Sequence, residues 1–142
     1  MNRFDSLQSV SLLALRAVLG LIFFTHGYPK LVNATPAMRE FFVQHGLPGT
    51  FLYVAGVLEV FGGILLVLGL FARPAALLLA MEMGVAIWKV HSLKGYFAIR
   101  EYEFPLVLCA ACLALASVGA GMLSLDQFLF GGKSRGPRPN KN

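Results

Sequence analysis

The stretch that decides the fold is residues 56–82, "GVLEVFGGILLVLGLFARPAALLLAME". Two apolar runs are joined there by little more than Ala72, Arg73 and Pro74, and so brief a connection makes the two segments antiparallel neighbours. Pro74 suits the first turn of the second helix, where a missing N–H costs nothing. In the first run Gly56, Glu59 and Gly63 are spaced three and then four apart, so they share one helical face. Small residues let helices approach closely, and this face is therefore expected to meet another helix and not lipid.

Working outward, crossing a hydrocarbon core of about 30 Å takes about 20 mostly apolar residues in helix. Four stretches qualify or nearly do: 10–27, 50–71, 74–90 and 104–125. Of the 142 residues, 57% are hydrophobic and 13% charged, whereas a soluble domain is about 25% charged; the mean hydropathy is +0.70. These numbers predict an all-α integral membrane protein, an antiparallel four-helix bundle forming one domain over residues 1–126. Residues 127–142, rich in Gly, Pro and Lys/Arg, are expected to be a disordered basic tail. Between the first two spans, residues 36–45 predict a short amphipathic helix at the interface. Met38, Phe41 and Phe42 lie on one side of it, with Arg39, Glu40 and Gln44 largely on the other. Gly27 and Pro29, within "HGYPKL" at 26–31, are expected to stop the first helix.

The net charge of +5 does not point to nucleic acid, because the basic residues gather where helices leave the membrane. Arg3, Arg73, Lys133, Arg135, Arg138 and Lys141 fall on one side of a four-span path; Lys30, Arg39, Lys94 and Arg100 fall on the other, with Lys89 near the boundary. The positive-inside rule then places both termini in the cytoplasm, in a bacterial cytoplasmic membrane. Arg16 within the apolar core, with no clean cleavage site after it, favours a retained first span over a cleaved signal peptide.

Arg16, Glu59 and Glu82 lie within spans, where an ionised side chain costs about 2.5 kcal/mol or more. They are expected to form one polar cluster, with Arg16 pairing with either Glu59 or Glu82. Such a cluster either fixes helix register or holds a polar ligand such as a quinone ring. A second polar layer is expected on the outer side, where His26 and Lys30 end the first span and His91, Tyr102 and Glu103 flank the connection between the last two. An aromatic belt with ordinary headgroup contacts is the alternative for that layer. His26, His45 and His91 have no helical ligand spacing, so no metal site is expected. The "CAAC" at 109–112 reads as a packing face, since an apolar surrounding disfavours thiolate. No cofactor motif is present, and catalysis by this chain alone is not expected.

Four fragments together resemble the DoxX family of small membrane proteins: "LRAVLGLIFFTHGYPKL" with Arg16 and Gly20, "GVLEVFGGILLVLGLFARPAA" with Glu59, "EYEFPL", and "GAGMLSLD". The resemblance runs from Leu12 to Asp126. It implies a four-helix membrane fold and similarity to membrane subunits of thiosulfate:quinone oxidoreductase. One departure stands out, in that Arg100 and Glu101 precede Tyr102 and Glu103 where relatives often carry a Gly-Gly-Tyr-Glu approach. The resemblance implies an accessory or quinone-contacting subunit of a membrane oxidoreductase complex, with the lipid bilayer, other oxidoreductase subunits and a homo-oligomer as candidate partners. A small transporter or channel subunit and a non-catalytic scaffold or assembly factor are the alternatives.

Overall fold

The computed structural model describes residues 3–91 and 99–131. All regular elements among these residues are helical. They are α1 (Arg3–Val32), α2 (Pro36–Gln44), α3 (Phe51–Leu68), α4 (Ala72–Ala86) continued by a π-helical turn (Ile87–His91), α5 (Ile99–Val118) and α6 (Leu125–Phe130). Three helices, α1, α3 and α5, are long and apolar enough to cross a membrane. The protein is therefore an all-α integral membrane protein in contact with the bilayer. With its π turn, α4 runs without a break over 20 residues (72–91), a length of about 30 Å.

Close glycine contacts set the register of the bundle. A Cβ on Gly20 would stand 2.5 Å from the Gly63 carbonyl oxygen, and one on Gly27 would stand 2.9 Å from that of Gly56. The glycines on each helix are seven apart, so α1 and α3 run antiparallel with backbones in contact over two turns. The face expected to be interior is interior: Gly56, Glu59 and Gly63 are buried. On the other side α4 packs along α5. Small residues Ala75, Ala76 and Ala80 share this core with Leu108, Cys112 and Leu115. Both cysteines are free, and Cys109 donates its thiol to the Ala80 carbonyl at 3.4 Å. This agrees with reading "CAAC" as a packing face. By contrast α3 and α4, although joined directly, touch each other much less.

Helix ends depart from the sequence expectation in three places. The helix does not stop at Gly27 and Pro29; α1 carries Pro29 in its last turns and ends at Val32, since one proline near a terminus removes one backbone bond without breaking the rest. Similarly, α5 starts at Ile99, ahead of Pro105, since a proline at the seventh position removes one backbone bond near the helix start without breaking the rest. It also stops at Val118, short of the expected 125. Gly119 (φ +93°) and Gly121 (φ +79°) turn the chain, and Ser124 then caps α6 by accepting from the Gln127 N–H. Within the stretch expected to be disordered, residues 127–130 belong to this helix, while 132–142 lie outside the described residues.

The expected helix between the first two spans is α2. Its Thr35 cap accepts from the Met38 N–H. Arg39 donates to the Tyr53 hydroxyl and lies over its ring, which ties α2 to the start of α3.

Candidate functional site

The intramembrane charges divide between the two ends of the bundle. The contact of Gly20 with Gly63 and of Gly27 with Gly56 puts Glu59 level with position 24 on α1, eight residues beyond Arg16, or about 12 Å along the axis. Arg16 is instead level with the turn between α3 and α4. It is fully buried, donates through Nη2 to the Leu123 carbonyl, and faces the opposing charge of Asp126. The expected pairing of Arg16 with Glu59 or Glu82 is therefore corrected. The span boundary assumed at Val10 set Arg16 too deep, because α1 overhangs the bundle.

Around Arg16 the chain is locked. Gly69 has φ +67°, and a Cβ there would collide with Arg16 Nη1. The Asp126 N–H donates to the Gly69 carbonyl at 2.9 Å. The Asp126 carboxylate accepts from the Phe71 N–H at 2.8 Å and the Ala72 N–H at 3.0 Å, satisfying donors that α4 cannot satisfy within itself. Arg73 donates to the Val118 carbonyl at the end of α5. The cluster holds all four long helices together at one end.

At the opposite end Lys30 pairs with Glu59 at 2.5 Å. Helical side chains lean toward the helix N-terminus, so a lysine in the last turn of α1 reaches back down to a carboxylate deep on α3. One member of the expected outer layer thus joins one member of the expected inner cluster. Glu82 on α4 completes the group, within electrostatic range of both Glu59 and Lys30. Its Oε2 is buried and has no hydrogen-bond partner among the described residues.

These three side chains line one end of a half-open cavity of about 560 Å³ between α2, α3 and α4. That volume lies within the range of small-molecule sites, about 300–1,000 Å³. Its remaining wall is almost wholly apolar: Met38, Phe41 and Phe42 from α2, Phe51 and Leu58 from α3, and Met83 from α4. The apolar side of α2 thus roofs the cavity, and His45 joins its lining. Sequence reasoning missed this use of α2 and His45; the apolar triplet Met38, Phe41 and Phe42 was the available signal.

The other outer residues are not drawn into the cavity. His26 is exposed, lies tilted against Phe104 at 5.7 Å between ring centroids, and acts on Glu59 only through charge. Tyr102 is half-buried and Glu103 exposed on the first turns of α5, and neither lines the cavity. The side chain of His91 lies outside the described residues.

A sequence profile for the DoxX family matches residues 11–92. The chain is 35% identical over 127 residues to the "Putative oxidoreductase CatD" of Bacillus subtilis, covering 89% of this chain and 92% of that protein. It is 32% identical over 133 residues to "Inner membrane protein YphA" of Escherichia coli, covering 87% and 94% respectively. It is also 26% identical over 125 residues to "Inner membrane protein YqjF" of the same organism, covering 87% and 95%. No solved structure matches.

Proposed function

This chain belongs to the DoxX family, and from that premise we propose that it is an accessory, quinone-contacting subunit of a membrane oxidoreductase complex. The observation that carries the reading is the buried Glu82 oxygen without a hydrogen-bond partner among the described residues, at the polar end of an otherwise apolar cavity. A buried polar atom left unpaired costs about 1–3 kcal/mol, and a ligand polar group in the cavity would remove that cost. A quinone fits the donor set, since it offers a flat apolar ring to Phe41, Phe42 and Met83 and a carbonyl oxygen to a protonated Glu82. The Lys30–Glu59 pair holds the neighbouring charge in place. A bound quinone supplies two-electron, two-proton redox chemistry; this chain's residues bind the ring, exclude water and hold a proton at Glu82. The electrons come from a partner protein. The name of the Bacillus relative supports an oxidoreductase setting, and the names of the two Escherichia relatives support the inner membrane. In the same reading α4 with its π turn is a fourth span, and both termini face the cytoplasm.

The test uses Trp88, the single tryptophan of the chain, in the turn that follows α4 beside the cavity residues Ala86 and Val90. A tail-less benzoquinone should quench its fluorescence saturably. Glu82→Leu should weaken binding about tenfold, the equivalent of one lost hydrogen bond of about 1.4 kcal/mol. Linear, unsaturable quenching that Glu82→Leu leaves unchanged would remove the reading.

A further inference from the structure

The cavity has a second polar group, His45, which the reading above leaves unused. Building on that reading, we propose that His45 holds the second ring oxygen of the ligand, accepting from a hydroxyl of the reduced ring, so that the cavity takes the quinol more tightly than the quinone.

Position is the first argument. Among the described residues of the wall, His45 is the one polar side chain apart from Lys30, Glu59 and Glu82. It ends the α2 roof, whereas Glu82 lies deep in the cavity: counted from the turn at 69–71, it is as far along α4 as Leu58 is along α3. Phe51, where α3 begins beside the roof, is seven residues above Leu58, a rise of about 10 Å. A ring with oxygens at opposite positions and a hydrogen bond at each of them spans about 11 Å. A ligand of that length reaches from Glu82 to the roof, with its apolar body between Phe41, Phe42 and Met83.

The second argument is the state of the imidazole. Its Nδ1 lies 2.6 Å from the Phe41 carbonyl oxygen. A carbonyl only accepts, so Nδ1 carries the proton, and in the neutral ring Nε2 is left with a lone pair. Phe41 also packs its ring against the imidazole, 4.4 Å between centroids, and the His45 backbone N–H closes α2 on the Phe42 carbonyl. The side chain is thus held at its root and at its ring, as a preorganised contact requires. A nitrogen in this state pairs with a hydroxyl and not with a carbonyl, since two acceptors facing each other leave both without a hydrogen bond. Glu82 makes no such distinction, because a protonated carboxyl donates to a hydroxyl oxygen and to a carbonyl oxygen alike. Glu82 therefore binds the ring in either redox form, and His45 separates the two forms. By linkage, tighter binding of the quinol makes the bound quinone a stronger electron acceptor, which suits a site fed with electrons by a partner protein.

The experiment uses the full chain in lipid nanodiscs, in mildly alkaline buffer without oxygen. Tail-less benzoquinone is titrated by Trp88 quenching, and hydroquinone by its displacement of the benzoquinone. In the unaltered protein hydroquinone should bind about tenfold tighter than benzoquinone, the equivalent of one hydrogen bond. His45→Leu, which keeps the wall filled, should weaken hydroquinone about tenfold and leave benzoquinone within about twofold; Glu82→Leu should weaken both. With His45→Leu, an equal or greater loss of benzoquinone would mean that the residue only shapes α2, and no loss of either compound would mean that the ring does not reach it. Each of these results overturns the inference and leaves the quinone reading standing. Absence of saturable quenching in the unaltered protein would overturn both.

Discussion

Replacing Gly69 by alanine tests the lock at the buried end of Arg16, and its cost can be worked from the geometry. Two effects add. Gly69 sits at φ +67°, where a side chain costs roughly 1–2 kcal/mol. The new Cβ would also collide with Arg16 Nη1, so the guanidinium must leave its place and its bond to Leu123. A hydrogen bond from a charged group contributes about 1.5–3 kcal/mol. Gly69→Ala should therefore destabilise the protein by about 3–5 kcal/mol. In an Arg16→Ala background the backbone strain and the 2.7 Å approach to Ser124 Cβ remain while the guanidinium's share is gone, so the same change should cost less by about 1.5–3 kcal/mol. The assay is a double-mutant cycle by reversible denaturant unfolding in mixed micelles, which cancels the cavity left by Arg16→Ala. A coupling below about 0.5 kcal/mol, the error of additivity between independent sites, would refute the claim that Gly69 is glycine because Arg16 lies against it.

Three further outcomes follow from the same contacts. Asp126→Ala removes both acceptors at the start of α4 and should cost about 1–2 kcal/mol, the range of a lost helix cap, measured by the same unfolding assay; Asp126→Asn, which keeps one oxygen, should recover part of it. Gly27→Leu drives a side chain against the Gly56 carbonyl and the Val60 backbone nitrogen, each 2.9 Å from the first added carbon. It should separate α1 from α3 by an amount seen as a shorter distance limit lost in spin-label pairs, whereas Gly84→Leu, with open space around it, should leave those distances unchanged. Finally, Cys112 is fully buried and Cys109 half-buried, so a membrane-permeant maleimide should label a Cys112→Ala protein several times faster than a Cys109→Ala protein; equal rates would contradict the packing of α4 on α5.

What could be read from the sequence was what lipid imposes on composition. A hydrocarbon core demands long apolar helices, so their existence and antiparallel order followed from hydropathy and from the short turn at Arg73. The spacing of Gly56, Glu59 and Gly63 identified a buried face because a helix repeats its faces at fixed intervals. Exact ends were less legible. Pro29 and Pro105 look like breaks in a one-dimensional string, yet both sit within two turns of a helix end, where the loss of one backbone bond leaves the rest of the helix intact. The charge partners were the least legible. Arg16 bonds a backbone carbonyl 107 positions away, which no side-chain pattern encodes. Lys30 and Glu59 seemed to belong to different depths, because reckoning by helix rise ignores a side chain that leans back along its own helix. The cavity arises from the gap between α3 and α4 under α2, and a gap has no residue signature of its own.

The central claim is that the cavity carries a quinone in a membrane oxidoreductase assembly. Its most direct test is native mass spectrometry of the protein extracted in mild detergent from its own membrane, beside a Glu82→Leu form prepared identically. The account predicts close to one quinone per chain and a redox partner subunit in the unaltered protein, with the quinone lost and the partner retained in the variant. Phospholipid alone in both preparations, with neither quinone nor partner, would contradict it.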